Sequence, residues 1–386
     1  MNIVRTVSRS LVEGAATAQG TIRYATTQGR ALDAGHYSDF RGGLKLSSIG
    51  LGTFPGAASD TVDEALVQIV YTAVSRGINV IDTAAHYRYG RSVAAVGAGL
   101  RKAFADGVSR EAVWVMSKGG FLRFEGAVAD PDAYVREHII GKGLADASEC
   151  AGAHVLSPRY IRAQLDESRM ALGLATLDAF LVDQPEVQIR RHGKEAVLRR
   201  LGAVFEALEG AVADGVIRHY GVSSFEAFRV PTDDPNFLSL ASLVALAEKA
   251  AKTVAPSGRA HHFALIELPF NAVMLDGFVR FNQVTGDGSD DSTLQAALKL
   301  GLYTVASHGL FKGHLASHPL DILVQAMPRL ANDAQRALQF NRSTPGLGTT
   351  LVGMSTPPHV DDVLAVARAP VLTHPAYMAL YRRTGN

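Results

Sequence analysis

An aspartate, a tyrosine and a lysine stand where they can share proton chemistry. Asp82 closes the run Ile78-Asn79-Val80-Ile81, which is entered through Gly77, and Tyr87 follows five residues later. Lys118 closes a second run, Ala112-Val113-Trp114-Val115-Met116-Ser117, and two glycines follow it. A charge at the tip of a buried segment needs a partner or a task, because leaving water uncompensated is costly. An ammonium beside a phenol lowers the phenol's pKa, and a carboxylate keeps the ammonium charged. Together the three groups make a general acid suited to a carbonyl oxygen.

Both runs read as strands, and the chain supplies six more. Ser47–Phe54 is the first, Ile78–Asp82 the second and Ala112–Ser117 the third. The others are Leu177–Val182, Val216–Val222, His262–Leu268, Leu302–Ala306 and Thr349–Val352. Segments of helical periodicity or insertions separate them, so the sheet should be parallel. Eight such units predict an α/β fold, a closed (β/α)8 TIM barrel, whose sites lie at the C-terminal strand ends. Asp82, Lys118, Asp183, Ser223, Glu267 and Ser307 all fall at those ends. A doubly wound sheet is less well supported, because no G-x-G-x-x-G follows the first strand. Ahead of the barrel, His36–Ser48 reads as a hairpin turning at Gly42-Gly43. Gly119–Leu156 is a long loop after the third strand, expected to cover the mouth. The acidic run from Gly286 to Asp291 lacks the ligand spacing of a calcium loop and reads as a turn before a helix.

Bulk properties narrow the partners. Apolar residues make up 47% of the 386, ample for a core, and 38 basic residues against 37 acidic ones leave no net field to attract nucleic acid. Cys150 is the single cysteine, which excludes an internal disulfide framework and a cysteine-rich metal site. No apolar run has the roughly 18–20 residues of a membrane span. Residues 1–35 read as an extension to a barrel over 36–386. Its first thirty residues carry Arg5, Arg9, Arg23 and Arg30 against only Glu13. That bias suits a mitochondrial presequence. An ordinary extension, with Gly14 and Gly20 interrupting any helix, is the other reading and leaves the chain in the cytoplasm.

In this order the motifs resemble the aldo-keto reductase superfamily. The residues carrying the likeness are Gly50-Leu51-Gly52-Thr53, Ile81-Asp82-Thr83-Ala84 with Tyr87, Ser117-Lys118, and Ile217-Arg218-His219-Tyr220-Gly221-Val222-Ser223-Ser224. The likeness runs from about Phe40 to Arg368. It implies an NAD(P)H-dependent reductase of an aldehyde or ketone, a small carbonyl substrate, and NADP as cofactor with NAD as the other candidate. Tyr87 would be the acid, Lys118 its modulator and Asp82 the lysine's partner. Ser223, Ser224 and Glu267 fall at the family's carboxamide positions. Thr53, Ser307, Gly353, Met354, Ser355 and His359 fall at other cofactor positions, the last four at the adenosine-phosphate end.

Four positions depart from the family pattern. Asp183 stands where a histidine is usual, in Leu181-Val182-Asp183-Gln184-Pro185, Glu267 stands for a glutamine, Ser224 for an asparagine and His359 for a more basic residue. An ionised Asp183 cannot donate to the substrate oxygen and opposes negative charge there. At about 4 Å and an effective dielectric of ~20, two like charges repel by up to roughly 4 kcal/mol. Either Asp183 is protonated in an apolar pocket and donates, or His154 or His308 takes the role. The same departures support a second reading: a barrel without turnover, serving as a nucleotide sensor or as a subunit of a larger assembly. A metal-dependent hydrolase has little support, since no His-x-His follows the first strand.

Overall fold

The structure, a computed structural model, describes residues 10–258, 260–286 and 288–382. Eight parallel strands close into a barrel in chain order. They are β1 (Ile49–Gly52), β2 (Val80–Asp82), β3 (Trp114–Gly119), β4 (Leu177–Asp183), β5 (Ile217–Ser223), β6 (Phe263–Pro269), β7 (Tyr303–Ser307) and β8 (Thr349–Gly353), with β8 pairing back onto β1. All eight expected strands are present, and most ends move by one or two residues.

Alternation along the strands builds two cores. Side chains pointing inward fill the barrel, among them Val80, Trp114, Met116, Leu181, Leu265 and Val305. Their neighbours Ile81, Val115, Phe180, Val222 and Ile266 point outward and pack under the helices. This period of two fixes what comes next. Continuing each inward row by one step places Asp82 after Val80, Lys118 after Met116, Asp183 after Leu181 and Glu267 after Leu265. Four charged side chains therefore enter the barrel from its C-terminal end, each at most 4% exposed.

The opposite end is closed by the expected hairpin, Tyr37–Phe40 paired antiparallel with Leu44–Ser47. Its turn uses Gly42 at φ 71° and Gly43 at φ 81°, a region that favours glycine. Phe40 enters the barrel floor and meets the Trp114 ring edge-on at 4.6 Å. Burying a side chain of that size is worth about 1.5–3 kcal/mol. Asn79 ties hairpin to barrel by accepting from the Ser47 amide and donating to the Lys45 and Ala112 carbonyls.

The main helices are α1 (Ala18–Thr27), α2 (Asp60–Ser75), α3 (Arg91–Ala105), α4 (Pro158–Leu172), α5 (Lys194–Ala213), α6 (Leu240–Val254), α7 (Thr293–Lys299), α8 (Asp333–Arg342), α9 (Pro357–Arg368) and α10 (His374–Arg382). Among the described residues no helix is long and apolar enough to cross a membrane. The expected leader falls partly on residues 1–9, outside the described residues. Its remainder lies along the barrel floor, and the expectation that Gly20 interrupts a helix is overturned: Gly20 sits inside α1. A Cβ there would overlap the Glu111 carbonyl oxygen. The glycine thus permits close docking, which the Ala16 amide on Asp178 (2.6 Å) and the Tyr24 hydroxyl on the Val74 carbonyl (2.5 Å) reinforce.

The excursion Gly119–Leu156 is ordered around a small core of its own, formed by Leu122, Val135, Ile139, Ala145, Cys150 and Val155 with Tyr160 of α4. It folds as a turn of helix at Pro131–Tyr134, a π-helical turn at Val135–Ile140, and the short strand pair Cys150–Ala151 and His154–Val155.

Candidate active site

Lys118 is the centre of the site. Its Nζ lies 2.8 Å from Asp82 Oδ1, 2.9 Å from each Glu267 oxygen and 3.0 Å from the Tyr87 hydroxyl. Burial works against the ammonium, but Asp82 and Glu267, helped by Tyr87 and Asp183, outweigh it and hold Lys118 well above the ordinary lysine range. The lysine is therefore charged. Burial also pushes Asp82 up to about 8, Lys118 pulling it down and Glu267 adding to the rise.

The phenol differs from its sequence expectation. Lys118 does lower the Tyr87 pKa, but burial comes first and raises it, and Asp82, Asp183 and Glu267 add to the rise. The net result is a phenol well above its ordinary value. It keeps its proton until an oxygen of developing negative charge is presented to it. The loop that carries it is unusual: Arg88 and Tyr89 have φ of 51° and 59°, turning the chain sharply behind Tyr87. The Arg88 side chain fixes that turn by donating to the Ala57 carbonyl and pairing with Asp63.

Asp183 faces the same space. Burial raises its carboxyl to about 7, with Lys118 opposing, Glu267 and Glu186 adding, and a Ser223 hydroxyl bond lowering it again. Neither histidine named as its replacement takes that place. His154 is buried, and its Nε2 bonds to the Asp183 backbone carbonyl at 2.7 Å, behind the cleft wall. His308 lines the cleft further along. The imidazole beside Asp183 is His86, with Nε2 3.7 Å from Asp183 Oδ2. Its ring meets Tyr87 edge-on at 4.8 Å. Burial lowers His86 to about 3, Lys118 and His154 contributing, so it is neutral, and its buried Nδ1 has no hydrogen-bond partner among the described residues.

Asp82, His86, Tyr87, Asp183, Ser223 and Glu267 line one end of a cleft of about 990 Å³. Ser307 and the following turn to Gly313 form its middle, and Gly353, Met354, Ser355 and His359 its far end. A Cβ on Gly353 would come within 2.7 Å of Pro55, so the wall is narrow there. Two residues assigned to cofactor binding are differently engaged. Thr53 is buried outside the cleft lining, its hydroxyl donating to the Asp82 carbonyl. Ser224 touches the cleft, yet its hydroxyl donates to Glu186 at 2.7 Å and accepts from the Ala227 amide. At the far end, His359 Nδ1 accepts from the Ser355 amide, and Asp362 accepts from Asn332 and Gln335. Phe54, 63% exposed, packs edge-on against Tyr87 at the mouth. None of the excursion's residues lines this cleft; its Phe121 touches His86 from the side.

Sequence reasoning missed His86 and the bond between Glu267 and Lys118. The signal for the second lay in register, since Glu267 ends an inward row as Lys118 does.

The aldo/keto reductase family profile matches residues 48–231. No curated protein matches the chain. Among solved structures, an aldo/keto reductase from Klebsiella pneumoniae in complex with NADP and acetate superposes with a TM-score of 0.58 at 19% identity, over 90% of this chain and 95% of that one. The holo form of an aldo-keto reductase from Bacillus halodurans gives a TM-score of 0.62 at 17% identity, over the same shares. The thermostable aldo-keto reductase Tm1743, bound to the inhibitor epalrestat, gives 0.59 at 19% identity, over 89% and 98%.

Proposed function

We propose, for a chain whose residues 48–231 match the aldo/keto reductase family, that the cleft binds a nicotinamide dinucleotide and reduces a small aldehyde or ketone. One observation carries the reading: the Tyr87 hydroxyl lies 3.0 Å from an ammonium flanked by two buried acidic side chains, at the lined end of a large cleft. NADP is the first candidate cofactor, as in the Klebsiella structure, and NAD the second. Bound there, the nucleotide would supply hydride.

The residues fit such a group. The cleft, at about 990 Å³, has the volume of a large ligand site. It offers the Ser223 and Ser307 hydroxyls, the Lys312 cation along the middle and the start of α9 at the far end. Tyr87 would hold the carbonyl oxygen and give it a proton, and Lys118 would stabilise the phenolate left behind. Asp82 and Glu267, 2.8 and 2.9 Å away, would hold the lysine's ammonium beside the phenol. Asp183, with its pKa near 7, is protonated in part of the population and can then donate a second hydrogen bond to the same oxygen.

The test is a titration of the purified protein with NADPH and NADH, followed by an assay over a panel of aldehydes and ketones. Nucleotide binding with carbonyl-dependent oxidation supports the reading. Nucleotide binding without turnover on any carbonyl would favour a sensor, a reading motivated by the ionisable Asp183 where a donor is needed.

A further inference from the structure

One ammonium faces three carboxyl groups at the lined end of the cleft. Asp82 and Glu267 share Lys118 at 2.8 and 2.9 Å. Asp183 stands on the same wall, and the only basic side chain within 4 Å of its carboxyl oxygens among the described residues is His86, which burial keeps neutral; His154, also neutral, bonds to its backbone carbonyl instead. The Tyr87 phenol, the Ser223 hydroxyl, Glu186 and Glu267 also face Asp183, none of them cationic, and the one cation acting on it is Lys118, which Asp82 and Glu267 already share. As Asp183 and then Asp82 ionise, near 7 and near 8, this end of the cleft therefore becomes anionic even after Lys118 is counted.

The two redox states of a nicotinamide dinucleotide differ in charge where they react. The oxidised ring is a cation and the reduced ring is neutral, while the rest of the molecule is unchanged. A ring that exchanges hydride with a carbon whose oxygen is held by Tyr87 must lie within van der Waals reach of that site. It then sits in the field of Glu267 and Asp183. We propose that this cleft discriminates between the redox states of the nucleotide, holding the oxidised form more tightly than the reduced one, with Glu267 and Asp183 setting the preference. The inference rests on the reading of the cleft as a nicotinamide site. Occupancy of the protein then follows the oxidised share of the nucleotide pool.

The preference is coupled to protons. Asp183 titrates near 7, so its charge grows as pH rises through neutrality. Asp82 follows near 8. Preference for the oxidised form should widen in the same direction.

Calorimetric titration of the full chain with NADP⁺, NADPH, NAD⁺ and NADH, at about pH 6 and about pH 8, tests this without any substrate. The expected result is an oxidised form bound roughly tenfold more tightly at the higher pH, with a smaller ratio at the lower. Glu267→Gln should cut the ratio several-fold. Asp183→Asn should cut it as well and should also flatten its pH dependence. Asp183 is outside the lysine's pairing, so its near-isosteric variant tests the idea even if Glu267→Gln unfolds, and thermal unfolding identifies that case. Equal affinities in the unsubstituted protein, or tighter binding of the reduced form, overturn the inference alone. Failure to bind any of the four nucleotides overturns the cofactor reading and this inference with it.

Discussion

Both carboxylate oxygens of Glu267 lie 2.9 Å from Lys118 Nζ, a bond across the barrel between β6 and β3. With Asp82 on the same ammonium, the three form a buried cluster in which one lysine serves two acidic side chains. Removing one partner of a buried pair leaves an uncompensated charge and costs about 3–5 kcal/mol. Lys118→Met should therefore destabilise the fold by about that much, since it strands Glu267 and removes the donor to Asp82. The triple variant Lys118→Met, Asp82→Asn, Glu267→Gln should recover most of the loss. Urea unfolding at neutral pH checks both, and a single variant as stable as the parent would rule out the cluster.

Tyr87→Phe keeps the ring on Phe54 and His86 and removes only the hydroxyl. The high pKa of that phenol makes it a proton store rather than a charge, so its loss should leave nucleotide affinity within about threefold. Proton transfer by a positioned side chain is worth about 10²–10⁴ in rate. Carbonyl reduction should fall by that factor, read from steady-state rates on the best substrate of the panel. Undiminished reduction would remove the proposed acid.

How far these residues could be read from the sequence depended on distance along the chain. The eight strands and their inward ends follow from local alternation, so Asp82, Lys118, Asp183 and Glu267 were all marked at one rim. Which of them pair is settled only when the barrel closes. Glu267 meets Lys118 across 149 positions, and a side chain read as a cofactor contact turns out to hold the lysine. His86 escaped notice for another reason: its direction depends on the left-handed pair Arg88 and Tyr89, which no propensity favours. Gly20 misled in the same way. It looks like a helix breaker locally, and its need comes from Glu111 on a distant loop.

Asp183 sets a pH dependence of stability whose sign follows from its raised pKa. Folded, the carboxyl titrates near 7, against 3.8 as its ordinary value. Between those limits the folded state holds a proton that the unfolded chain has lost, so stability falls as pH rises from about 4 to about 7 and stays low above. Asp183→Asn removes that loss. It should be near neutral at about pH 4 and stabilising by roughly 1–4 kcal/mol at about pH 8. Urea unfolding at the two pH values reads the difference. A stabilisation that does not change with pH would show that the carboxyl is not buried as described.

The far end of the cleft carries an imbalance that bears on nucleotide choice. His359 and Asp362 both open onto it from the first turns of α9, and among the described residues neither an arginine nor a lysine lines it beside them. Asp362 is held by two amide donors, from Asn332 and Gln335, both 3.0 Å away, so its carboxylate is fixed in place. A phosphate brought to this end meets a fixed negative charge and a single imidazole, whose Nδ1 is already occupied by the Ser355 amide at 3.2 Å. A hydroxyl in the same position meets no such penalty. NADPH should therefore hold no more than about a tenfold advantage over NADH, a small margin on the scale of 1.4 kcal/mol. His359→Arg adds a planar charged donor suited to phosphate. It should tighten NADPH by roughly tenfold and leave NADH unchanged. Competitive titration of the two nucleotides measures both effects, and equal gains for NADH and NADPH would mean that the arginine acts on the shared diphosphate rather than on the ribose end.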